Sequence, residues 1–176
     1  MGEFLLKDVD EGVALLTLNR PGRMNAWTAA MEDEYFSALE QCARDSHVRA
    51  IVVTGAGRAF CAGADMQDLQ ALGNGSEPGQ AHEHGHGPGH ADAERRAQTF
   101  PLSISKPIIA AVNGACAGIG LVQALMCDLR FAADDAKLTT AFARRGLVAE
   151  HGISWILPRL VGPAHALDLL LSARVV

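Results

Sequence analysis

Two stretches of small residues carry the first chemical suggestion in this sequence. Gly57-Arg58-Ala59-Phe60-Cys61-Ala62-Gly63-Ala64-Asp65 follows directly on the β-branched run Ala50-Ile51-Val52-Val53-Thr54. Gly114-Ala115-Cys116-Ala117-Gly118-Ile119-Gly120 follows in the same way on Pro107-Ile108-Ile109-Ala110-Ala111-Val112 and runs into Leu121-Val122-Gln123-Ala124-Leu125-Met126. Small side chains let a ligand approach the backbone, and amides at a turn or a helix start can then point at an anion. Each stretch alone also fits a tight turn packed on the core. Together, after two buried strands, they could direct two amides at one oxyanion. Neither has the spacing of a dinucleotide fingerprint, and no Gly-Lys-Ser/Thr phosphate loop is present.

Other reactive side chains form no comparable group. Cys42, Cys61, Cys116 and Cys127 are scattered without a C-x-x-C pair, as expected of reduced core cysteines in a cytoplasmic protein. His82, His84, His86 and His90 lie in residues 73–90, a tract rich in Gly, Pro and His. That tract is expected to be a mobile, solvated loop, with a metal site as the alternative; no Cys accompanies the histidines.

The elements that must position the two turns follow from periodicity. The 176 residues are 49% hydrophobic and 20% charged, which suits one globular domain with a real core. A net charge of −5 and 5% aromatic content argue against a nucleic-acid partner. No apolar run reaches the ~20 residues of a membrane span, and the acidic start lacks the marks of a signal peptide. Apolar runs at 4–8 and 13–18 around Asp10-Glu11-Gly12 predict a β-hairpin. Thr28 is placed to cap a helix carrying Met31, Tyr35, Phe36 and Leu39 on one face, with Glu32, Asp33 and Glu34 near its positive end. Buried parallel strands are expected at 50–54 and 107–112, a helix from about Gly120 to Cys127, and strands at 129–133 and near 137–139. The alternation indicates an α/β architecture. A last apolar helix over 164–172 is followed almost at once by Val175-Val176, which reads as an unfinished end.

Taken together the motifs resemble the crotonase (enoyl-CoA hydratase/isomerase) superfamily. They are Leu18-Asn19-Arg20-Pro21 with Met24-Asn25-Ala26, Ala59 to Met66, Lys106 to Gly114, Met126-Cys127-Asp128, and Trp155 to Gly162. They occur in the family's order across nearly the whole chain outside the His/Gly tract. The resemblance implies a spiral of β-β-α units forming two sheets, whose C-terminal helices would be missing here. It implies an acyl-CoA substrate, no metal or redox cofactor, and a homotrimer or hexamer for a full-length chain.

The resemblance also assigns roles. The amides of Ala64 and Ile119 would form the oxyanion hole, with Ile119 standing where relatives often carry Gly. Ala26, Ala62, Gly63, Asp65, Met66 and Gly118 would line the substrate site, and Arg23 would meet a CoA phosphate unless it is simply solvated. Asp65 and Asp128 fit turn-stabilising roles better than catalytic ones. The two glutamates of typical hydratases correspond to Val122 and Phe142, which cannot move a proton. Glu150, before a predicted helix at 153–157, falls where several isomerases carry an acidic catalyst. Among apolar neighbours its carboxyl is expected to be buried and raised in pKa; a dipole-stabilised helix start is the simpler reading. These assignments favour a double-bond isomerase, with hydration or a non-catalytic acyl-CoA-binding subunit as alternatives.

Overall fold

The computed structural model describes residues 2–65 and 96–176. The first hairpin forms as its apolar runs require, β1 (Leu5–Asp10) antiparallel to β2 (Val13–Leu18). A single 3-10 turn at Pro21–Arg23 leads to helix α1 (Ala29–Arg44). Thr28 caps α1, its side chain accepting from the Met31 amide at 3.2 Å, and Met31, Tyr35, Phe36 and Leu39 are buried on one face. Glu34 instead faces the N-terminal segment, where its carboxylate accepts from the amides of Glu3, Phe4 and Leu5.

The β-branched run forms β3 (Ala50–Gly55), parallel to β2. Next come β4 (Ala59–Cys61), β5 (Ile108–Val112), β6 (Ala115–Ala117) and helix α2 (Ile119–Met126). The chain continues through β7 (Leu129–Ala132), β8 (Leu138–Thr139), α3 (Ile153–Val161) and α4 (Pro163–Ser172). A five-stranded sheet has the order β1-β2-β3-β5-β7, and a three-stranded sheet has the order β4-β6-β8. Each of the pairs β3-β4, β5-β6 and β7-β8 places its first strand in the large sheet and its second in the small one. Helix α2 follows the second pair and α3 the third. This is the α/β spiral of repeated β-β-α units.

Two asparagines hold the passage between sheets. Asn113 donates to the carbonyls of Gly55 and Gly57 at 2.8 and 2.9 Å and accepts from the Gly55 amide. Asn25, fully buried, donates to the carbonyls of Ala56 and Ala59 and accepts from the Arg20 amide. Asp128 closes the next crossover by accepting from the Ile108 amide at 2.7 Å. Polar side chains, of which Asn25 is buried and Asn113 half-buried, thus satisfy backbone groups at the passages between strands.

All eight residues of α2 are buried, so the helix runs through the core beside the small sheet. The four cysteines are free and buried. The predicted His/Gly tract, including His82, His84, His86 and His90, lies outside the described residues, as does Met66.

Candidate active site

The two small-residue stretches meet. Sequence reading expected them as turns, and each also contains a three-residue strand. Strand β4 pairs parallel with β6, Ala59 opposite Ala115 and Cys61 opposite Cys116. Parallel neighbours end on the same side, so the turns after Cys61 and after Ala117 emerge together. Gly63 has φ +105°, and a side-chain carbon there would stand 3.3 Å from the Ala117 carbonyl oxygen. Gly118 has φ +50°, and a carbon there would stand 3.9 Å from the Gly63 Cα. The left-handed backbone at both positions is one that glycine adopts without strain.

The amides of this junction have defined directions. Trp27 donates to the Gly63 carbonyl at 2.8 Å and accepts from the Asp65 amide at 3.0 Å, forming a parallel bridge opposite Ala64. Successive amides of an extended segment face opposite edges, so the Ala64 N–H is directed away from Trp27. Ala64 is itself exposed. Ile119 is the first residue of α2, and helical bonding begins only with Val122 N–H to the Gly118 carbonyl. Its amide therefore has no partner within the helix and lies at the positive end of the helix dipole.

Around this junction sit several residues that the motifs singled out. Ala62 donates from its backbone to the Met24 carbonyl, and Ala26 precedes Trp27. Asp65 is 6% exposed and paired with Arg20 at 3.1 Å, and Arg20 also donates to the Ala26 carbonyl at 2.7 Å. Asp65 thus ties its turn to the segment ahead of α1. Arg23 lies apart, exposed at the end of the 3-10 turn.

Glu150 occupies a different segment, the turn before α3. His151 has φ +59° and Gly152 φ +82° there, and the Glu150 carbonyl accepts from the Ile153 amide. The expectation of a buried carboxyl is corrected: the Glu150 side chain is 32% exposed, because the turn leaves the body of α3 behind it. His151 stands beside it, with Nε2 3.7 Å from Glu150 Oε1. The His151 ring lies 6.4 Å from that of Phe142, which brings the Glu150 turn beside that buried aromatic side chain. Val122, the other residue that the motifs matched to a hydratase glutamate, is fully buried in α2. Among the described residues no group of His, Cys, Asp or Glu could hold a metal ion, and no helix is long and apolar enough to cross a membrane.

Sequence reading missed a polar chain behind the site. Glu32, read as a helix-dipole residue, is 2% exposed; its Oε2 accepts from the Trp27 indole at 3.0 Å and from the Gln98 amide at 2.5 Å. Gln98 in turn accepts from Gln123 of α2 at 2.7 Å. A glutamate next to the apolar side of its helix was the only signal available.

Comparison with known proteins agrees with this architecture. The enoyl-CoA hydratase/isomerase family profile matches residues 8–176. The chain is 41% identical over 173 residues to the 1,2-epoxyphenylacetyl-CoA isomerase of Escherichia coli, covering 97% of this chain and 63% of that protein. It is 32% identical over 178 residues to a peroxisomal Delta(3,5)-Delta(2,4)-dienoyl-CoA isomerase of Arabidopsis thaliana, covering 98% and 63%. The crystal structure of an enoyl-CoA hydratase from Mycobacterium marinum superposes with a TM-score of 0.77 at 44% identity, covering 99% of this chain and 73% of that one. The chain thus spans less than two thirds of the length of the two curated relatives. With the motifs in order, the β-β-α units in place and the profile matched from Asp8 onward, the chain belongs to the enoyl-CoA hydratase/isomerase family of the crotonase superfamily.

Proposed function

We propose that this chain binds an acyl-CoA thioester and moves a carbon–carbon double bond, with the amides of Ala64 and Ile119 as the oxyanion hole and Glu150 as the acid/base. The observation that carries the reading is the contact between the Gly63 and Gly118 turns at the shared end of β4 and β6. In a 3-enoyl thioester, the Glu150 carboxylate takes a proton from C2. The electron pair spreads onto the thioester oxygen, where two fixed dipoles stabilise it. The proton returns to C4, the double bond now joins C2 and C3, and the carboxylate is regenerated. No metal or redox group enters this sequence. Ala26, Ala62, Gly63, Asp65 and Gly118 line the bound thioester in this reading, and Arg23 meets a CoA phosphate.

Buried Val122 and Phe142 favour isomerisation over hydration, because a hydratase must also orient and deprotonate a water. Four buried free thiols suit a reducing cytoplasm. The exposed apolar side chains of Phe131, Val148, Trp155, Leu167 and Leu171 suit a homotrimer or hexamer, which sedimentation would reveal.

The deciding experiment is Glu150→Gln. It should lower isomerisation by about 10²–10⁴-fold while leaving thioester affinity unchanged, since the oxyanion donors are backbone groups. Activity that survives would move the proton to another group, such as His151. A wild type that binds thioesters yet exchanges no α-proton with deuterated water would establish a binding subunit instead. Hydration of a 2-enoyl-CoA as fast as isomerisation would overturn the weight placed on Val122 and Phe142.

A further inference from the structure

We propose that Glu32 is a positioning residue for both oxyanion amides, acting through a buried polar chain that ends at one donor on each side. The inference rests on the functional reading above and names what sets the spacing between its two donors. On one side the Glu32 carboxylate accepts from the Trp27 indole at 3.0 Å. The Trp27 backbone grips Gly63 and Asp65 on either side of Ala64. On the other side the same carboxylate oxygen accepts from Gln98, and Gln98 accepts from Gln123. Gln123 lies four residues after Ile119 and therefore on the same face of α2. The segment bearing Ala64 and the helix bearing Ile119 are in this way fastened to one carboxylate.

Burial makes the arrangement stiff. Trp27, Glu32 and Gln123 are 6%, 2% and 1% exposed, so their polar groups have little access to water as a substitute partner. A buried acceptor that loses its donors carries the full desolvation cost, which disfavours any movement that breaks the chain. The Tyr35 ring packs edge-on against Trp27 with centroids 5.5 Å apart and limits tilting of the indole. Glu32 itself is fixed by its place in the first turn of α1, where its amide donates to the Thr28 carbonyl. None of these side chains need touch the substrate; they would act by holding backbone donors in place.

The test uses the intact chain and 2-butenoyl-CoA labelled with 13C at the thioester carbonyl. Infrared difference spectra read the carbonyl stretch, which falls when donors polarise it. The wild type should show the bound carbonyl at lower frequency than free thioester. Trp27→Phe removes the indole donor but keeps a ring, and Glu32→Met removes the acceptor at similar length; each should lose more than half of that shift. Isomerisation kcat should fall about 10- to 100-fold, with KM within about threefold of wild type. Glu32→Gln retains an acceptor oxygen and should restore most of the shift. A wild-type shift preserved in both Trp27→Phe and Glu32→Met would overturn the positioning role, as would a Glu32→Gln variant as impaired as Glu32→Met. No shift in the wild type would instead overturn the oxyanion reading itself, and this inference with it. Should Glu32→Met fail to fold by circular dichroism, Trp27→Phe decides alone.

Discussion

Three buried or half-buried carboxylates in this chain have distinct duties, which their partners assign. Asp65 is locked to Arg20, so Asp65→Ala would leave a largely buried guanidinium without that partner. Unfolding in urea should show a loss of about 3 kcal/mol. Glu150 faces His151 at an open turn, and Glu32 faces inward among amides and an indole. The thiols make a further prediction. Burial pushes Cys61 and Cys127 up to about 12 from an ordinary 9.0. The unfolded chain therefore releases protons near pH 9 that the fold retains, and this contribution to stability should fall as pH rises from 9 towards 12. Denaturation midpoints across that range check the sign, and a thiol reagent at pH 8 should label these cysteines only after unfolding. The turn-holding roles of Asp65 and Asp128 were legible because both sit beside turn signals in the sequence. Glu32 was not, since Gln98 and Gln123 lie more than sixty residues away and no local pattern announces them.

Secondary structure followed the sequence wherever apolar runs were long enough to show a period. Helix α1 begins at its predicted cap, and β2, β3 and β5 occupy their β-branched runs. Thr28→Ala should cost about 1 kcal/mol in thermal or chemical unfolding by removing the acceptor for the Met31 amide. Strands β4 and β6 escaped notice because three small residues carry no periodicity and read equally as turn. Their pairing is nonetheless what joins the two site turns. Contact with α2 is close there: a side-chain carbon on Gly120 would stand 2.3 Å from the Cys61 carbonyl oxygen and 2.6 Å from the Cys61 Cβ. Gly120→Ala must therefore lift α2 from β4. Calorimetry should show a loss of stability of about 1–3 kcal/mol, and the proposed thioester binding should weaken in the same variant, since Ile119 moves with the helix.

At the scale of the whole molecule, apolar exposure among the described residues is concentrated late in the chain. Phe131 of β7, Val148 before α3, and Leu167 and Leu171 of α4 are each more than half exposed. The sequence anticipated an apolar final helix, but the share of it left uncovered depends on packing that no linear pattern records. The order of strands has a consequence in time. Apart from the β1–β2 hairpin, every ladder among the described residues is parallel, and the one that brings the two site turns together joins residue 59 to residue 115. Pairings so distant along the chain close late, because loop entropy must be lost before contacts compensate for it. In a stopped-flow refolding experiment, far-ultraviolet ellipticity from α1 and the hairpin should therefore recover ahead of the proposed thioester binding. Until that last ladder closes, a newly made chain would hold much of its secondary structure and none of its ligand, and in that interval its parallel edges and late apolar helices stand open to chaperones and to one another.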